Sequence, residues 1–161
     1  MAASCGLELW GNAGDVRERC EAGIAYGSEA SRTGTREAGF SMSNHRIVVV
    51  EDDVFIRLDL TTQLRAAGHT IVGTADSAAE AVRVVEHERP DLVLMDVRLV
   101  GDRDGIEAAT EIWQRFAIRS LFVSANLDAS ARAKASAANP VGFLEKPFTP
   151  NGLLAAVAAG P

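Results

Sequence analysis

From residue 46 onward, short apolar runs alternate with stretches whose hydrophobic positions recur at helical spacing, the pattern of βα units laid around a parallel sheet. Five strands are expected, at residues 47–50, 70–73, 92–95, 121–123 and 141–144, the second being the weakest. Their residues are mostly β-branched or bulky and do not alternate with polar ones, as expected when helices cover both faces of the sheet. Between the strands, Ile56, Leu60, Leu64 and Ala67 mark one helical stripe, and Gly68 stands where a helix end favours a left-handed residue. Ser77 and Glu80 form a candidate capping box ahead of Ala78, Ala81, Val82 and Val85, with Pro90 closing that segment. Asp104 can cap a helix carrying Ile106, Ala109, Trp113 and Phe116. Asp128 can cap an Ala-rich helix that ends before Pro140 and has the thinnest apolar face. Thr149-Pro150 then opens a last helix through Leu153, Leu154 and Val157.

Residues 1–41 lack any such period. They are rich in Gly, Ala, Ser and charge, break at Gly11, Gly14, Gly23, Gly27, Gly34 and Gly39, and are expected to be poorly ordered. Met42 directly precedes Ser-Asn-His-Arg and the first strand, which is the spacing of a translation start at Met42; the alternative is a regulatory or docking tail. The folded domain is expected at residues 42–161.

Composition narrows the function classes. A chain of 161 residues with 47% hydrophobic content has room for one core of ordinary size. Six acidic and four basic side chains in residues 1–41 give −2 of the total −6, leaving −4 for residues 42–161. Neither part carries the basic stripe that grips a phosphate backbone, so no direct nucleic-acid contact is expected. Cys5 and Cys20 both fall outside the folded part, which suits a reducing cytosol and removes thiolate metal sites from the core. No apolar run nears the roughly 20 residues that span a bilayer, so a cytoplasmic protein without membrane contact is expected.

In an open parallel sheet the ligand site lies beyond the carboxyl ends of the strands. There the sequence places Glu51-Asp52-Asp53 after the first strand, Asp96 after the third, Ser124 after the fourth and Glu145-Lys146-Pro147 after the fifth. An acidic residue after a strand also serves as a helix N-cap, and Asp53 beside Val54 fits that role. Three carboxylates from two strands are different, because they repel at close range unless a cation or protons intervene. Oxygen-only donors select a hard ion, Mg²⁺ or else Mn²⁺, over zinc. Beside such an ion Asp96 is a workable nucleophile towards a phosphoryl group, with Lys146 as a point cation and Ser124 as a hydroxyl donor.

These residues carry a family resemblance. Val-Val-Val-Glu51-Asp52-Asp53, Leu-Val-Leu-Met-Asp96, Phe-Val-Ser124-Ala125 and Gly-Phe143-Leu-Glu-Lys146-Pro147-Phe148 together resemble the receiver domain of bacterial two-component response regulators, over about residues 44–159. The resemblance implies an α/β, flavodoxin-like, doubly wound five-stranded parallel sheet of order 2-1-3-4-5. It further implies that Glu51, Asp52, Asp96 and the Arg98 backbone carbonyl hold the metal and that Asp96 accepts the phosphoryl group. Ser124 and Phe143 become the switch pair, Ala125 leaves room for the phosphoryl group, and Lys146 binds it ahead of a cis bond to Pro147. The loop from Val97 to Gly105 departs from the family pattern, being one residue longer and lacking the usual proline.

The expected protein is therefore a signalling switch and not an enzyme acting on a separate substrate, although it catalyses its own phosphorylation and dephosphorylation. Its expected partners are a sensor histidine kinase or histidine phosphotransfer protein and a downstream protein target, with the chain a monomer or a weak dimer through helix four, strand five and helix five. A phosphorelay intermediate and a receiver-like module that works without phosphorylation are the alternatives. An aspartyl phosphatase of the haloacid-dehalogenase type would want an acid where Arg98 stands. A flavin carrier would want a Ser/Thr- or Gly-rich loop where Glu51-Asp52-Asp53 stands.

Overall fold

The computed structural model describes residues 44–125 and 127–160. The expectations for residues 1–41 and for a start at Met42 lie outside the described residues. Five strands, β1 (Arg46–Val50), β2 (Thr70–Ala75), β3 (Leu92–Met95), β4 (Arg119–Ser124) and β5 (Gly142–Glu145), alternate with α1 (Val54–Ala66), α2 (Ala78–Glu88), α3 (Gly105–Phe116), α4 (Ala129–Ala135) and α5 (Pro150–Ala158). The strands pair in parallel in the order β2-β1-β3-β4-β5, the flavodoxin-like doubly wound sheet expected above.

Successive strand residues point to opposite faces, and both faces are covered. Ile47, Val49, Leu92, Leu94, Leu121 and Val123 pack with Leu60 and Leu64 of α1 and Leu153 and Val157 of α5. Val48, Val50, Val93, Met95 and Phe122 pack on the other side with α2, α3 and Ala135 of α4. This two-sided burial is why the strands read as unbroken apolar runs.

Two strands outrun their apolar cores. β2 continues through Thr74 and Ala75, which pair with Val49 and Val50, and a bulge between Ile47 and Val48 accommodates the register shift. β4 begins at Arg119 and Ser120, opposite Leu92 and Val93. Polar side chains hide a strand that backbone pairing still recruits.

The helix ends divide similarly. The Asp53 carboxylate accepts from the Phe55 and Ile56 N–H groups, so this residue is the α1 cap. Gly68 takes φ +92° just past α1, as expected. Ser77 is the N-cap of α2, but its side chain makes no capping bond, and Glu80 takes the Asp76 N–H instead, so the expected reciprocal box does not form. A complete box forms at α3, where Asp104 and Glu107 serve each other's N–H groups. On α3 the buried stripe is Ile106, Ala108, Ala109 and Ile112, while Trp113 and Phe116 are only half-buried. The thin apolar face expected of α4 is observed, since only Ala135 is buried there, and a 3₁₀ turn (Ser136–Ala138) follows it. Among the described residues no helix is long and apolar enough to cross a membrane.

Leu64 is fully buried on α1 whereas Leu58 on the same helix is 62% exposed. Leu64→Ala should cost about 2–5 kcal/mol of unfolding free energy in a urea titration, and Leu58→Ala should stay within about 0.5 kcal/mol of the parent.

Candidate functional site

The rim at the carboxyl ends of β1, β3 and β4 gains its rigidity from backbone bonds that run one step past the strands. Glu51 N–H donates to the Ala75 carbonyl at 3.0 Å, Asp96 N–H to Val50 at 2.9 Å and Lys146 N–H to Ser124 at 2.9 Å. The Glu51, Asp96 and Lys146 side chains therefore leave from residues still fixed to a neighbouring strand.

Glu51, Asp52 and Asp96 each bring a carboxylate oxygen to within 4.8 Å of the others. Glu51 and Asp96 are buried and Asp52 is exposed. The Lys146 ammonium donates to Glu51 Oε2 at 2.7 Å and to Asp96 Oδ2 at 2.8 Å, so one cation answers two buried anions and the third carboxylate stays uncompensated. Burial and the nearby Asp96 charge hold the Glu51 carboxyl above the usual carboxylate range, despite the opposing bond from Lys146. Burial pulls the Lys146 ammonium the other way, but hydrogen bonds and charge from Asp96 and Glu51 outweigh it and keep the lysine above its ordinary value. A dense, oxygen-only, net-negative cluster fits a hard divalent cation.

The other expected residues fall around this cluster. The Arg98 N–H donates to Asp96 Oδ1 at 3.1 Å, and its side chain is exposed. Ser124 is 1% exposed, yet among the described residues its hydroxyl has no hydrogen-bond partner. A buried hydroxyl is normally satisfied, so this one is suited to a ligand oxygen. Ala125 and Pro147 are exposed at the rim, and the Lys146–Pro147 peptide is cis, as the resemblance implied. Phe143 is not at the rim. It lies within β5 opposite Phe122, with the ring centroids 5.6 Å apart and nearly parallel.

Two neighbours of the site escaped the sequence reading. A Cβ on Gly105 would sit 1.8 Å from the Asp96 carbonyl oxygen, so the start of α3 can press against the Asp96 backbone only because it has no side chain. The signal was a glycine directly after a capping aspartate, where no positive φ requires one. The Arg57 guanidinium donates to the Glu51 carbonyl from α1. Nothing in the sequence separates it from a solvated helix arginine.

The family described as response regulator receiver domain matches residues 47–158 of this chain. The chain belongs to the response regulator receiver family. It is similar to the transcriptional regulatory protein PdtaR of Mycobacterium tuberculosis, with 38% identity over 112 residues, covering 70% of this chain and 54% of that one. It thus spans about half the length of that relative. The chemotaxis protein CheY of Bacillus subtilis is 35% identical over 114 residues, covering 70% of this chain and 94% of that one. Among solved structures, the signal receiver domain of a modulated diguanylate cyclase from Desulfovibrio desulfuricans G20 superposes with a TM-score of 0.68 at 29% identity, over 73% of this chain and 93% of that one. The receiver assignment places the protein in two-component signalling, in a family that binds Mg²⁺ through acidic residues, and the cluster of Glu51, Asp52 and Asp96 offers such residues here.

The raised Glu51 value has a sign that can be tested. Without metal the fold favours protonated Glu51, so this contribution to stability is present below its ordinary value of 4.5 and is lost as pH rises through the raised one. A divalent cation relieves the same strain. The gain in Tm on adding Mg²⁺ should therefore grow as pH rises above 4.5 in thermal melts, and a gain independent of pH would contradict this account.

Proposed function

We propose that this protein is a phosphorylation-dependent signalling switch in which Asp96 takes a phosphoryl group from a phosphohistidine on a sensor kinase or phosphotransfer protein. The observation that carries the reading is the convergence of Glu51, Asp52 and Asp96 within 4.8 Å, with Lys146 bridging Glu51 and Asp96 and its own N–H bonded to the Ser124 carbonyl. The residues that would hold Mg²⁺ are Glu51, Asp52 and Asp96, joined by the Arg98 backbone carbonyl. Bound there, the ion supplies positive charge to the carboxylates and to the incoming phosphoryl oxygens.

The protein's own groups divide the remaining work. A carboxylate oxygen of Asp96 forms the new P–O bond as the P–N bond to the donor imidazole breaks, and the imidazole leaves with the bonding pair. The Arg98 N–H and the Lys146 ammonium already hold the two Asp96 oxygens, which fixes the direction of attack. Lys146 then follows the charge onto the phosphoryl oxygens, Ser124 donates its hydroxyl to one of them, and exposed Ala125 leaves the approach clear. Water later breaks the acyl phosphate and returns the carboxylate. Phe143 responds to the displacement of Ser124 and alters the surface of α4, β5 and α5. A downstream protein reads that surface. Relatives named as a transcriptional regulatory protein and a chemotaxis protein support a reading in which the output is set by the partner.

Incubation with acetyl phosphate and Mg²⁺ followed by intact-mass measurement tests the assignment. Wild type should gain one phosphoryl group, and neither Asp96→Asn nor wild type in excess chelator should do so. Equal labelling of Asp96→Asn would move the acceptor elsewhere.

A further inference from the structure

We propose that Arg132 is a positioning residue of this switch, its guanidinium holding Phe143 in the orientation that opposes phosphoryl uptake. The inference rests on the reading of Phe143 as the responding aromatic, and it names what keeps that ring in place.

α4 is seven residues long and buries only Ala135, so its apolar contact with the sheet is small. Of its two long side chains, Arg132 and Lys134, both exposed, Arg132 reaches a ring of the sheet. Its guanidinium carbon lies 4.9 Å from the centroid of the Phe143 ring, and its Nε donates to the Leu127 carbonyl at 3.1 Å. The second bond fixes the guanidinium over the ring and ties it to the segment that follows β4. Among the described residues Arg132 makes no ion pair, in contrast to Arg115, which also lies over an aromatic ring but is bound to Glu86 and Glu111. The Arg132 head group is thus committed to the ring and to one carbonyl.

Phe143 sits between this guanidinium and the core. It is half-buried, stacks on Phe122, and belongs to the core layer shared by α2, α3 and α4. Phe122 and Ser124 are two residues apart on β4 and so share a face, which puts the unpartnered Ser124 hydroxyl on the same side of the sheet as both rings. In this reading a Ser124 side chain drawn towards a ligand opens space on that face, and a ring that follows it moves away from the guanidinium held by the Leu127 carbonyl. A planar, weakly hydrated guanidinium is suited to this contact, and an ammonium is a poorer substitute. A contact present only in the unliganded state biases the equilibrium against the liganded one by its own strength.

Titration with beryllofluoride and Mg²⁺, as the phosphoryl probe, should show that Arg132→Met binds roughly two- to fivefold more tightly than wild type, the range set by one cation–π contact. Arg132→Lys should fall between them. In a Phe143→Leu background Arg132→Met should have no further effect, whereas a loose α4 acting by any other route would give the same tightening with or without the ring. Unchanged affinity, or tightening that persists in Phe143→Leu, overturns the inference. The Phe143 ring resonances, assigned in the unliganded protein, should shift in Arg132→Met but not in the exposed-site control Lys134→Met. If wild type fails to bind beryllofluoride, the proposed function is wrong; unshifted ring resonances would overturn the role of Arg132 separately.

Discussion

Three carboxylates held within 4.8 Å of one another set the terms for this molecule. Their mutual repulsion is unfavourable in a partly buried site, and a protein that needed only stability would not gather them. The lysine just past β5 reduces the strain without removing it, because one ammonium is shared between Glu51 and Asp96. The site is therefore left short of positive charge, a deficit that a divalent cation is suited to meet.

The fold makes the deficit sustainable. Parallel pairing aligns the carboxyl ends of β1, β3 and β4, and the backbone bonds from Glu51, Asp96 and Lys146 carry the sheet's rigidity one residue beyond the strands. Gly105 lets α3 close against the Asp96 main chain, while the Arg57 guanidinium braces the Glu51 carbonyl from α1. Repulsive side chains are thus fixed by groups whose own hydrogen bonds are satisfied.

Much of this was legible in the sequence, for identifiable reasons. Strands buried on both faces announce themselves by unbroken apolar runs, and residues directly after them must lie at one edge, so the positions of Glu51, Asp52, Asp96, Ser124 and Lys146 in the chain assign them to one rim. What stayed hidden depended on pairing or on close approach. Arg119 and Ser120 enter β4 through backbone bonds that their side chains do not advertise. Ser77 and Glu80 have the spacing of a capping box, yet Glu80 turns to the Asp76 N–H. The interlocking of Arg132 with Phe143 links residues on different elements, and no local pattern encodes it.

The division of the core into two layers has a mechanical corollary. Along β4, Leu121 and Val123 face α1 and α5, whereas Phe122 faces the layer of α2, α3 and α4, and Ser124 shares its side. A shift of the Ser124 side chain is therefore felt on one side of the sheet, while the hydrocarbon on the reverse keeps its neighbours. Under the proposed switch the sheet acts as a partition with a single listening side, so a message written at the rim would have a built-in direction of travel.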